Sequence, residues 1–146
     1  MRLAFFSVGL VYYSQDPQVR NLVNITLKLG PTMAFFSVGL VYQAMEPIKV
    51  ELGFQSMLAV SSEGRRGGLA LLWKSGVVID TNTYSPHHID AQVLPPSGQP
   101  WRLTGIYGYL DEQQKPETWR LLRHLYSRST LPWVCLGDFN EILTRF

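Results

Sequence analysis

The sequence predicts a mixed α/β fold, two mainly antiparallel sheets with outer helices, and three observations carry that expectation. Between residues 55 and 107, short apolar or alternating runs recur, separated by turns rich in glycine, proline and serine. Residues 116–126 carry an apolar stripe at helical spacing. The 146 residues are 46% hydrophobic and 16% charged, enough apolar material for one domain and unlike a disordered chain.

The nonamer AFFSVGLVY stands at residues 4–12 and returns unchanged at residues 34–42. Its aromatic and β-branched content predicts a buried strand at each copy. Between the copies, residues 14–17 form a polar break. Val19, Leu22, Val23, Ile25 and Leu29 then approximate one face of a helix, which Gly30-Pro31 would end. The repeat therefore brackets an expected β-α-β unit.

Residues 43–52 read as a short helix or irregular segment disturbed at Pro47. Strands are expected over residues 55–61 and 69–73, on either side of the polar linker SEGRRGG. Lys74-Ser75-Gly76 predicts a turn, with a strand resuming over 77–81. Ile89, Ala91 and Val93 alternate with Asp90 and Gln92, as in a half-buried strand. Pro95-Pro96-Ser97-Gly98 turns the chain into a strand over 101–107. Pro116 and Glu117 suit the first turn of a helix. Trp119, Leu122 and Leu125 or Tyr126 should face its core, with Arg120, Arg123 and Arg128 solvated. An apolar strand over 131–136 leads into Gly137-Asp138-Phe139-Asn140.

A formal net charge of +2 implies neither nucleic acid nor membrane by itself. Cys135 is the only cysteine, so no intrachain disulfide or thiolate metal cluster forms, and its apolar setting predicts a buried bystander. His87 and His88 are adjacent and lack the spacing of a zinc site. The apolar stretch at residues 3–13 is about half the ~20 residues needed to span a bilayer, so no membrane association is expected. It lacks a clear signal-peptide cleavage site, which favours an intracellular location, nuclear or cytoplasmic, over secretion. The sequon at Asn24 then carries little weight, particularly inside an expected helix.

GDFN is the most informative stretch. Just beyond an apolar strand it sets a carboxylate two residues from an amide. Asp138 can accept a proton, orient water or bind a cation, and Asn140 can contact a phosphate oxygen without adding negative charge. The same spacing also serves as a turn or helix cap.

The ordered blocks GRRGGLALLWKSGVV, SPHHIDAQV, WRLTGIYGYL, ETWRLLRHL and PWVCLGDFNEIL change the weight of that motif. Over most of residues 52–146 they resemble the endonuclease/exonuclease/phosphatase family, and within it the endonuclease-like domain of plant retroelement (non-LTR, LINE-type) polyproteins. The resemblance implies a four-layer α/β sandwich and phosphodiester or phosphomonoester hydrolysis assisted by Mg2+ or Mn2+, with DNA as the partner. It implies that Asp138 positions or activates the attacking water, that Asn140 contacts the scissile phosphate, and that Tyr107 steadies phosphate through its hydroxyl. A packed tyrosine is the competing reading of Tyr107, and His88 reads as a structural histidine at a strand end.

Three departures bear on activity. The family's early asparagine has no counterpart in the first nonamer. Val38, in the second, stands where the family's metal-binding glutamate is expected, and valine has no donor atom. Glu46 and Glu51 lie nearby but read as surface residues. The family's closing Asp–His pair would fall after residue 146, and His124 does not replace it by sequence order. One incomplete domain over residues 1–146, truncated at its C-terminus and with exposed sheet edges, is therefore expected. These departures predict an inactive relative of a divalent-metal-dependent endonuclease. A noncatalytic fragment that meets a protein partner through a sheet edge, and an active nuclease or phosphatase, are the competing functions.

Overall fold

Residues 3–6, 23–28, 32–38, 42–61, 68–109 and 111–138 are described by a computed structural model, and they form nine strands and two helices. The strands are β1 (Leu3–Phe6), β2 (Val23–Lys28), β3 (Met33–Val38), β4 (Ser56–Ser61), β5 (Gly68–Trp73), β6 (Val78–Ser85), β7 (His88–Leu94), β8 (Trp101–Tyr107) and β9 (Trp133–Asp138). The helices are α1 (Tyr42–Leu52) and α2 (Lys115–Tyr126). Together they make an α/β sandwich of two sheets.

One sheet has the order β2-β3-β5-β4 and is antiparallel throughout. The other has the order β1-β9-β8-β7-β6. There β6, β7 and β8 pair antiparallel, while β9 runs parallel to both β8 and β1. The strands expected between residues 55 and 107 are all present, and β8 has the expected limits.

The helix expected across residues 19–29 is overturned where it is described. Val23–Lys28 is β2, paired with β3 from Val23↔Val38 to Lys28↔Ala34, with an irregularity between Val23 and Ile25. Val23, Ile25 and Leu27 alternate with Asn24, Thr26 and Lys28, and β-branched residues favour that pleated arrangement. The remainder of the expected helix lies outside the described residues. The expected β-α-β unit at the repeat is therefore replaced by an antiparallel β2–β3 pair. A parallel pair joined through a helix occurs instead at β8-α2-β9.

The two nonamer copies enter different sheets. Residues 4–6 of the first lie in β1, parallel to β9, whereas residues 34–38 of the second lie in β3, antiparallel to β2 and β5. Tyr42, the last residue of the second copy, already begins α1. Identical sequence thus takes its neighbours from context. The rest of both copies lies outside the described residues.

Between the sheets, Met33, Phe35, Leu69 and Leu71 pack against Ile89, Ala91, Val93, Leu103 and Leu136. Phe35 lies so close to the backbone of Gly105 that a Cβ there would come within 2.1 Å of the ring. On the outer side of the four-stranded sheet, Ala34, Ala70 and Leu72 meet Met45 and Ile48 of α1. Pro47 in that helix is exposed, so its missing N–H falls on the solvent side. On the outer side of the five-stranded sheet, Ile106, Trp133 and Cys135 meet Leu122 and Leu125 of α2.

Two expectations of exposure change under α2. Its buried stripe is Thr118, Leu122 and Leu125, at helical spacing, while Trp119 is 39% and Tyr126 51% exposed. The alternation of β7 does not leave its polar residues in water either. Asp90 is 1% exposed, because α2 covers the face toward which it points and donors surround its carboxylate.

Candidate functional site

The parallel strands β8 and β9 end level with one another, and their last residues, Tyr107 and Asp138, are register partners. Parallel strands place their carboxyl ends on one side, the edge at which α/β sheets receive ligands. Gly137 makes the ending of β9 possible. Its φ of +131° suits glycine alone, and a Cβ would meet the carbonyl oxygen of Ile106 at 2.0 Å. The structure therefore brings Tyr107 and Asp138 together. Asn140 lies outside the described residues.

Tyr107 is half-buried and packs against the core between the sheets, yet its hydroxyl has no hydrogen-bond partner among the described residues. Its backbone is held by His87: the Tyr107 N–H donates to the His87 carbonyl at 2.9 Å, and the Tyr107 carbonyl lies 2.7 Å from His87 Nδ1. The His87 ring stacks on Tyr109, with centroids 3.7 Å apart and planes at 19°. His87 and Tyr109 were not expected at the site. The only sequence signal for them is aromatic spacing, in the His87-His88 pair at the start of β7 and the Tyr107-Gly108-Tyr109 triplet at the end of β8.

His88 turns the other way, to the face covered by α2, as the structural histidine expected at this strand end. It is 6% exposed, with Nδ1 2.6 Å from Ser85 Oγ and Nε2 2.9 Å from Thr83 Oγ1. Burial holds its pKa below the ordinary 6.5, although the Asp90 carboxylate opposes part of that effect.

Beside it lies a buried ionic network. Arg102 donates from Nε and Nη2 to Asp90 at 2.8 and 3.1 Å, and Thr104 Oγ1 donates to the same carboxylate at 2.6 Å. Arg102 Nη1 reaches the Leu125 carbonyl in the last turn of α2, and its guanidinium stacks 4.8 Å from the Trp133 ring. Trp133 Nε1 donates to Thr104 Oγ1 at 2.8 Å. The pair thus fastens helix to sheet. Cys135, on the same face, is fully buried, and burial pushes its thiol up to about 12, so it is the inert bystander expected.

The described side chains do not fit a divalent cation. Among the described residues no three His, Cys, Asp or Glu side chains gather as a metal site requires. Val38 ends β3 with no donor atom. Glu46 is engaged with Lys49 on α1 at 3.1 Å, and Glu51 is exposed. Among the described residues no helix is long and apolar enough to cross a membrane.

No protein-family model and no curated protein matches the chain.

Proposed function

We propose that the chain is an endonuclease/exonuclease/phosphatase-like domain that keeps the phosphate-facing strand ends of that fold and has lost metal-dependent phosphodiester hydrolysis. The observation that supports this reading is the pairing of Tyr107 with Asp138 at the carboxyl ends of adjacent parallel strands. In this reading the Tyr107 hydroxyl, without a hydrogen-bond partner among the described residues, donates to a phosphate oxygen and the Asn140 amide supplies a second donor. Asp138 orients water beside them. With valine at position 38, the second carboxylate that the resemblance assigns to Mg2+ or Mn2+ is missing.

The order of packed layers, α1 on one sheet and α2 on the other with the largest core between them, agrees with a four-layer sandwich. In this reading the chain is similar to the retroelement endonuclease-like domain, and DNA is the partner that the resemblance implies. Calorimetric titration with Mg2+ and Mn2+ tests the loss of the metal site. No saturable one-to-one binding is expected. A one-to-one site abolished by Asp138→Ala overturns the reading.

A second reading rests on β6, which is an edge of the five-stranded sheet among the described residues and carries Val78 and Tyr84 at 60% and 62% exposure. An edge of this kind can pair with a strand of a protein partner. Protection of β6 amides from hydrogen exchange only when a partner is bound would favour it.

A further inference from the structure

Helix α2 covers β8 and β9 and leaves a cleft of about 520 Å³ between its flank and β6–β7. Its floor is Asp90 and Arg102, and its wall is His124 and Arg128 from the helix side. Asp90 is saturated: besides Arg102 and Thr104, Asn82 Nδ2 donates to it at 3.1 Å. The floor charge is thus neutralised within the protein. What remains open are the Gln92 amide, the His124 imidazole and the Arg128 guanidinium, which have no side-chain partner among the described residues. The cleft therefore offers donors and a positive charge without a free carboxylate.

A second cavity of about 390 Å³ adjoins it and shares His88, Leu121 and His124. This one reaches the His87–Tyr109 stack, and the charged side chains on its wall, Glu117 and Arg120, are paired with each other. Both volumes lie within the ~300–1,000 Å³ usual for small-ligand sites. A donor-lined chamber joined to an aromatic one matches a ligand with an anionic end and a flat ring at the other.

We propose that this double cavity binds a nucleotide, its phosphate held by Arg128, His124 and Gln92 and its base laid against the His87–Tyr109 stack. The phosphate takes charge-assisted hydrogen bonds from the guanidinium and neutral ones from the amide. The ring gains the area and the offset stacking that aromatic faces provide. The assignment uses neither Asp138 nor the family resemblance, so it stands or falls apart from the strand-end site.

Nitrogen-15 NMR titration of the full chain with deoxyadenosine 5′-monophosphate tests it. Saturable shifts are expected at Gln92, His124, Arg128 and Tyr109. Arg128→Ala and Gln92→Leu should each weaken binding about tenfold, one polar contact's worth. Arg123→Ala, an exposed change on the same helix away from both cavities, should not alter it. Deoxyadenosine should bind far more weakly than the nucleotide. Ribose 5-phosphate should bind with an affinity that Tyr109→Ala leaves unchanged. The proposal is overturned by an absence of saturable shifts, by equal affinity in Arg128→Ala, or by shifts confined to Tyr107 and Asp138.

Discussion

The two faces of the central strands β7 to β9 are both largely buried and differently built. Toward the other sheet, Ile89, Ala91, Val93, Leu103 and Leu136 meet apolar side chains. Toward α2, the same strands bury Asp90, Arg102 and Thr104 at 1%, 2% and 0% exposure. The first face is stabilised by area removed from water, so its energy follows the volume filled. The second depends on every polar group finding its partner, and a carboxylate with four donors meets that condition. Alternation along a strand thus decides which face a residue takes. Whether that face is wet is decided by another element.

Removing material from either face should cost about the same and be recoverable in only one case. Phe35→Ala opens a cavity beside Gly105 and should lower unfolding stability by ~3–5 kcal/mol in urea titration, with little dependence on salt. Asp90→Ala should also cost ~3–5 kcal/mol, because Arg102 is left charged and unpaired. The double change Asp90→Leu with Arg102→Met should recover most of that loss, since apolar replacement of both partners is often near neutral. If the double variant is no more stable than Asp90→Ala, the network is not what distinguishes the second face.

A smaller effect is expected where the two faces meet the strand ends. Gly137→Ala should cost ~1–3 kcal/mol, the strain of a positive φ pressed against the Ile106 backbone. It should also perturb Tyr107 amide shifts, because the register of β9 on β8 sets that pair.

The smallest effect is one of pH. The folded-state pKa of His88 is lowered, so below its ordinary 6.5 the unfolded chain takes a proton that the native chain refuses. Stability should therefore decline as pH falls below 6.5, and His88→Asn should flatten that slope. A slope unchanged by the substitution assigns the proton to another group.

Much of the second half of the fold was legible in the sequence. Strands β4 to β9 and helix α2 follow local periodicity and turn residues. The β2 segment reads as helix in the sequence because Val19, Leu22, Val23, Ile25 and Leu29 satisfy a loose helical spacing, while Val23, Ile25 and Leu27 also satisfy a period of two. The β3 partner chooses between them, and pairing is not local. Tyr107 and Asp138 both stand out in the sequence, but their alignment depends on the parallel β8–β9 register, which follows from the α2 crossover. Asp90 and Arg102 look like ordinary solvent-side residues of β7 and β8 until α2 is laid over them. His87 and Tyr109 are twenty-two residues apart and meet only because β7 begins where β8 ends.

In the proposed function the ends of β8 and β9 face phosphate without cutting it. Incubation of the full chain with supercoiled plasmid in Mg2+ or Mn2+, beside an Asp138→Ala control, reads this directly. The expected result is no nicking above the control with either metal. Nicking that needs the metal, stops with chelator and disappears in Asp138→Ala would contradict it.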